Sequence, residues 1–107
     1  MYKLVFTKAA LQDIRFAALY ISDTLMKQDA ANRLLDAVDE KVGALAETPY
    51  INPLVRDSML ASNGIRFQLV NKYLAFYTVH EDTKTVSVIR FQHSRRDWVS
   101  LLKNGMS

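Results

Sequence analysis

Cysteine is absent from this chain. That excludes disulfides, thiolate metal sites and cysteine nucleophiles together, and it fits a reducing, cytoplasmic compartment. Histidine is scarce: His80 and His93 are the only two, little material for a metal centre. No run approaches the ~18 consecutive apolar residues of a membrane span. The opening residues Met1 to Thr7 lack the apolar stretch of a secretory signal. Three glycines and two prolines are too few for a flexible linker, and no repeat or low-complexity tract is present. No Gly-rich phosphate loop or dinucleotide fingerprint occurs, so no cofactor is expected.

What remains is an ordinary globular composition. The chain has 107 residues, 50 % of them hydrophobic and 23 % charged, which predicts a single domain over 1–107 with one sizeable core. The net charge of +3 is unevenly placed. Residues 1–50 hold six basic and seven acidic side chains, residues 51–107 eight basic and four acidic. The second half therefore offers a basic face suited to a polyanion or an acidic partner protein, or simply a solvated basic surface.

Periodicity supplies the elements. Tyr2, Leu4 and Phe6 alternate with Lys3 and Val5, a first strand. Thr7 can cap a helix with the apolar stripe Leu11, Ile14, Ala18, Ile21 and Leu25. After a break at Met26–Gln28, Asp29 can cap a second helix with the stripe Ala31, Leu34, Val38, Val42 and Leu45, its acids Asp36, Asp39 and Glu40 outward. Pro49 ends this helical hairpin. Beyond Pro53 the period falls to two: Ile65, Phe67 and Leu69 form a strand, and Asn71-Lys72 a turn. Tyr73 to Val79 form a central strand, Glu81 to Lys84 a second turn, and Val86 to Phe91 the last strand. Ser94 can cap a terminal helix carrying Trp98, Leu101 and Leu102. The expected fold is α+β, in the order β-α-α-β-β-β-α, with the helical hairpin on one face of a small, mainly antiparallel sheet.

Several of these residues occur in a familiar order. The opening Tyr2-x-Leu4-x-Phe6-x-x-x-Ala10 is one such piece, and Pro49 after the hairpin is another. Gly64-Ile65-Arg66, Tyr73-Leu74-Ala75-Phe76-Tyr77 and the ending His93-Ser94-Arg95-Arg96-Asp97-Trp98 complete the set. Together they resemble the RelE/ParE superfamily of bacterial toxin–antitoxin toxins across nearly the whole chain. The resemblance implies a cognate antitoxin protein, which would bury apolar groups such as Tyr20, Leu35 or Met59 and neutralise the basic groove. It also implies one of two activities: ribosome-dependent cleavage of mRNA in RelE-like members, or inhibition of DNA gyrase in ParE-like ones.

Metal-free RNA cleavage needs a deprotonated 2′-hydroxyl, a stabilised phosphorane and a protonated leaving oxygen. Arginine suits the phosphorane because its planar fork binds phosphate oxygens in pairs. If the chain is a ribonuclease, Arg66, Arg90 and His93 are the candidate catalytic residues, with the ribosome and mRNA as partners. Arg66 matches the strand arginine of ribonuclease-type members, and an imidazole such as that of His93 can serve as acid or base. The same residues have plainer readings. Arg66 can be a solvated strand arginine, Arg90 can pair with Glu81 or Asp82 across the sheet, and His93 can be a packing histidine. His80, beside a turn, reads as structural.

Two departures count against cleavage. Ribonuclease relatives commonly carry a tyrosine in or just after the closing His-Arg segment, and here none follows Tyr77. They also draw lysines or a glutamate from the loop before the Gly64 strand, which here offers only Arg56 and Asp57. The closing His-x-Arg-Arg-Asp with apolar residues after it resembles ParE-like chains. The expectation is a non-enzymatic gyrase inhibitor with Arg95, Arg96 and Trp98 as target-binding residues. Trp98 also fits a core anchor for the terminal helix. The remaining alternative is a non-toxic α+β binding module.

Overall fold

The computed structural model describes residues 1–105. Its elements run β1 (Lys3–Phe6), α1 (Lys8–Leu19), α2 (Gln28–Gly43), α3 (Ser58–Ser62), β2 (Arg66–Val70), β3 (Tyr73–His80), β4 (Thr85–His93) and α4 (Trp98–Asn104). A π-turn, Tyr20–Thr24, prolongs α1, and a 3-10 turn, Ala44–Ala46, prolongs α2. The strands form one sheet in the order β1-β4-β3-β2, in which β1 runs parallel to β4 and the other neighbours are antiparallel. The architecture is thus the α+β fold expected from the sequence, with one added short helix.

Alternation along the central strands splits the apolar residues between two cores. Ala75 and Tyr77 of β3, with Val86, Val88 and Phe91 of β4, face the helical hairpin. Leu74 and Phe76 face the other way, onto Leu60 of α3 and Leu102 of α4. Two layers of helix therefore clamp the sheet; the middle of β3 is buried on both faces, whereas β4 alternates buried and half-buried residues. Lys103 of α4 meets Asp57 at 2.9 Å, tying the two small helices. That contact holds the Asp57 carboxyl below its usual range.

Four local expectations need correction. The buried positions of α1 are Ala10, Ile14 and Ala17, whereas Leu11 and Leu25 are exposed. Small alanines let the helix approach the sheet closely, which turns its bulkier leucines outward. Thr7 does cap α1, accepting from the Ala10 N–H at 3.1 Å. Asp29 does not cap α2: the helix starts at Gln28 after Lys27, with no side-chain cap, and Asp29 lies in its first turn, where it complements the dipole. Nor does Ser94 cap α4. Asp97 does so, accepting from the Ser100 N–H at 3.3 Å, so Arg95 and Arg96 precede the helix instead of opening it. The fourth is the helix α3 itself, one turn that Asp57 caps and too short to show periodicity.

Candidate functional site

Arg66 stitches the segment after the helical hairpin to the sheet. Its guanidinium donates to the Asn52 carbonyl at 2.6 Å and lies 5.0 Å from the centroid of the Tyr50 ring. The Asn52 amide in turn donates to Gln68 at 2.8 Å and to the Tyr77 hydroxyl at 3.3 Å, and that hydroxyl donates to the Pro49 carbonyl at 2.9 Å. Pro49 so placed both stops the hairpin and accepts a bond from the core. Beside this network, the Glu81 carboxylate accepts from Tyr2 at 2.6 Å, from Tyr50, and from Lys84 at 2.6 Å. Those bonds, the Lys84 ammonium's first, hold Glu81 down to about 2. Both phenols are pushed up by the same carboxylate and so remain proton donors.

Arg90 is bound from α1, not from Glu81 or Asp82. Its Nε donates to Asp13 Oδ2 at 2.7 Å and its terminal nitrogen to Oδ1 at 3.0 Å. The reason is topological. β1 is short and its pairing with β4 stops at Val88, leaving the β4 edge open beyond. The start of α1 closes it: Thr7 donates to the Val88 and Ile89 carbonyls, each at 2.9 Å. One turn later Asp13 accepts the Phe91 N–H at 3.0 Å. A β-bulge lies here, for Phe76 faces Arg90 while Tyr77 faces Val88, making Ile89 an extra residue.

The bulge and strand order decide which arginines can meet. β3 separates β2 from β4, so Arg66 and Arg90 are not on neighbouring strands. Arg66 faces Tyr77, whose side chain lies in the hairpin core, and Arg90 faces Phe76, which lies in the other core. Directly opposed residues share a face. The two side chains therefore leave the sheet on opposite sides, and a single phosphate cannot lie between them.

His93, Arg95 and Arg96 do come together. His93 ends β4, and its Nδ1 accepts the Arg95 backbone N–H at 3.1 Å, which leaves Nε2 to carry the proton in the neutral ring. The Arg96 N–H donates to the His93 carbonyl at 3.0 Å, and Ser94 donates to Lys72 at 2.9 Å. Both arginine side chains are exposed. The His93 ring stands edge-on to Tyr73 at 5.2 Å, and Tyr73 stacks on Phe91 at 5.0 Å. Trp98 lies apart from this group, tilted against Phe76 at 4.9 Å and half-buried in the α3–α4 core. It anchors the turn that carries Arg95 and Arg96, and it is not an exposed contact surface.

Sequence reasoning missed the cleft these residues border. Tyr20, Tyr73 and His93 are shared by two adjoining depressions, of about 550 Å³ and about 420 Å³. The smaller holds Arg96 and the already paired Asp13. The larger gathers Lys27, Arg33 and Lys72 over a floor that includes Ile21 and Leu34. Its cations come from the hairpin corner, from α2 and from the β2–β3 turn, which no local pattern unites. The π-turn contributes Tyr20 and Ile21. Burial, then Tyr20, pushes the Tyr73 phenol up, so at neutral pH it is a donor and not a base. Among the described residues no group of three or more His, Asp or Glu is placed to hold a metal ion. None of their helices is long and apolar enough to cross a membrane.

Comparison with known proteins gives the family and agrees with the fold. The family model for the ParE toxin of the type II toxin–antitoxin system, parDE, matches residues 4–98. A search of curated protein sequences finds no match. Among solved structures, the chain is similar to one from the chromosomal ParDE toxin–antitoxin system of P. aeruginosa. The TM-score is 0.70 at 17 % identity, covering 87 % of this chain and 96 % of that one. It is also similar to one from the RelBE2 toxin–antitoxin complex of Mycobacterium tuberculosis, with TM-score 0.60, 18 % identity, and 86 % and 96 % covered. A third likeness is to the intact E. coli RelBE toxin–antitoxin complex, with TM-score 0.58, 19 % identity, and 90 % and 100 % covered. At such identities the likeness is one of fold.

Proposed function

The chain belongs to the ParE toxin family of type II toxin–antitoxin systems, and we propose that it inhibits DNA gyrase and is neutralised by a cognate antitoxin in the cytoplasm. The observation that carries this reading is the divergence of Arg66 and Arg90. A ribonuclease built on both would need them about one phosphate. Here they leave opposite faces of the sheet, and each is committed to a neighbour, Arg66 to Asn52 and Arg90 to Asp13. Of the four candidate arginines, Arg95 and Arg96 are the exposed ones, and the apolar hairpin corner at Leu25 and Met26, the latter 82 % exposed, is open as well. Such a surface suits protein recognition, in which apolar anchors and arginines supply most of the affinity. Arg95 and Arg96 are the target-binding residues in this reading, and Trp98 positions them.

Purified gyrase, relaxed plasmid and this protein decide the matter. Blocked supercoiling with trapped, cleaved DNA supports the proposal; normal supercoiling overturns it.

One observation favours ribosome-dependent mRNA cleavage as the second reading. No tyrosine follows the closing His-Arg segment in sequence, yet Tyr73 meets the His93 ring at 5.2 Å, and Arg96 borders the cleft they share. In that case His93, Arg96 and Tyr73 would do the chemistry, without Arg66. Codon-spaced cuts in mRNA in a translating extract, absent without ribosomes, would establish it.

A further inference from the structure

The two adjoining depressions differ in kind, and together they specify a small ligand. The larger gathers three exposed cations, Lys27, Arg33 and Lys72, and among the described residues lining it there is no aspartate or glutamate. The smaller has one exposed cation, Arg96, and one acid, Asp13, whose two oxygens already accept from Arg90 and the Phe91 N–H. Its wall is aromatic instead. Phe16 is 68 % exposed and Tyr20 54 %, and their spacing of four residues sets both rings on one side of the helix. Each ring thus offers apolar surface to a flat partner. Where the depressions meet stand Tyr73 and His93. Both can donate a hydrogen bond, His93 through Nε2 because Nδ1 is taken by the Arg95 N–H. Each depression is within the range of about 300–1,000 Å³ that small-ligand sites occupy.

We infer that the cleft is a site for a nucleoside triphosphate, with the base against Phe16 and Tyr20, the sugar beside Tyr73 and His93, and the phosphates on Lys27, Arg33 and Lys72. The distribution of charge separates this ligand from a nucleic-acid strand. A strand carries one phosphate per base, spread along its length. A nucleoside triphosphate carries three at one end, which is how the cations lie here: three in the larger depression, one beside the aromatic wall. The site rests on the cleft alone. Only its consequence rests on the gyrase reading: a nucleotide bound here screens Arg96, one of the two proposed target-binding residues.

The test is isothermal titration calorimetry on the full chain, without added divalent metal ion, using ATP, adenosine, inorganic tripolyphosphate and hexaadenylate. ATP should bind most tightly, with adenosine and tripolyphosphate each weaker on the order of tenfold or more. Phe16→Ala should weaken ATP on the order of tenfold and leave tripolyphosphate unchanged. Arg33→Glu with Lys72→Glu should weaken both ligands. Lys8→Glu with Lys41→Glu, an equal charge change at residues that do not line the cleft, should leave both nearly unchanged, and thermal melts confirm that all variants fold. Tripolyphosphate binding as tightly as ATP would reduce the cleft to a general anion surface and overturn the inference. So would tighter binding of hexaadenylate, indifference to Phe16→Ala, equal weakening by the two charge pairs, or no binding of ATP. Gyrase does not enter this measurement, so its failure and that of the supercoiling assay are distinguishable.

Discussion

Asp13 holds Arg90 by two hydrogen bonds while taking the Phe91 N–H on the same carboxylate. One side chain of α1 thus caps the open edge of β4 and fixes a strand arginine whose nearest acids in sequence, Glu81 and Asp82, do not bind it. Asp13 is nearly buried, with its side chain 10 % exposed and that of Arg90 27 %. Removing the acid strands both a guanidinium and a backbone donor. Asp13→Ala should destabilise the protein by about 2–3 kcal/mol in urea unfolding. Arg90→Met should cost less, because Asp13 keeps the Phe91 N–H. If Arg90→Met is the more harmful of the two, the edge-capping role assigned to Asp13 is wrong.

Glu81 gathers three parts of the chain: Tyr2 at the N-terminus, Tyr50 after the helices and Lys84 in the β3–β4 turn. Its carboxyl is lowered from 4.5 to about 2. A lowered folded-state value means the folded protein holds this proton less tightly than the unfolded chain does. The stabilisation is therefore complete above the unfolded value and fades as pH falls through the folded one. Melting temperatures of wild type and Glu81→Gln should differ most above pH ~5 and converge toward pH ~2. A difference that is constant with pH would show that the carboxylate charge is not what ties these segments.

Gly64 sits at φ +77°, with open space where a Cβ would stand. A substitution there meets no clash and bears only the backbone cost. Gly64→Ala should lower stability by about 1 kcal/mol, read from the denaturation midpoint at unchanged slope. A much larger loss would mean that the segment between α3 and β2 rearranges.

How far the sequence specified this fold follows from the range of each interaction. The stripe from Ala31 to Leu45 was legible because all five residues are buried, four of them in the hairpin core, which is what a period of 3.6 reports. The α1 stripe came out misaligned. Hydropathy ranks Leu11 above Ala10, whereas close approach to the sheet selects the smaller residue. Pro49, the Asn71 turn and the doubly apolar β3 were legible for local reasons, Asn71 taking φ 54° as asparagine tolerates. Arg66 and Arg90 lie on strands that flank β3 from either side, and sequence gives no face to a residue beyond a bulge. The Asp13–Arg90 pair spans 77 residues, and nothing in the spacing announces it. The cleft cations have the same origin, since only the docking of the hairpin corner on the β2–β3 turn brings Lys27 near Lys72.

Trp98 and the arginine pair beside it separate structure from function. Trp98 packs on Phe76, so Trp98→Ala should cost about 2–4 kcal/mol and free the His93–Asp97 turn. Loss of toxicity in that variant reports loss of the anchor. Trp98→Phe keeps an aromatic in the core and should restore most of both stability and toxicity. Arg95→Ala with Arg96→Ala removes only exposed side chains; the bonds made at that turn are from the backbone N–H groups of Arg95 and Arg96 and survive the change. The doubly substituted protein should melt within about 0.5 kcal/mol of wild type. Its half-inhibitory concentration against gyrase should nonetheless rise tenfold or more, the order expected for loss of central interface arginines. Were the double variant as inhibitory as wild type, the target surface would lie elsewhere, and the exposed Leu25–Met26 corner would be the next place to substitute.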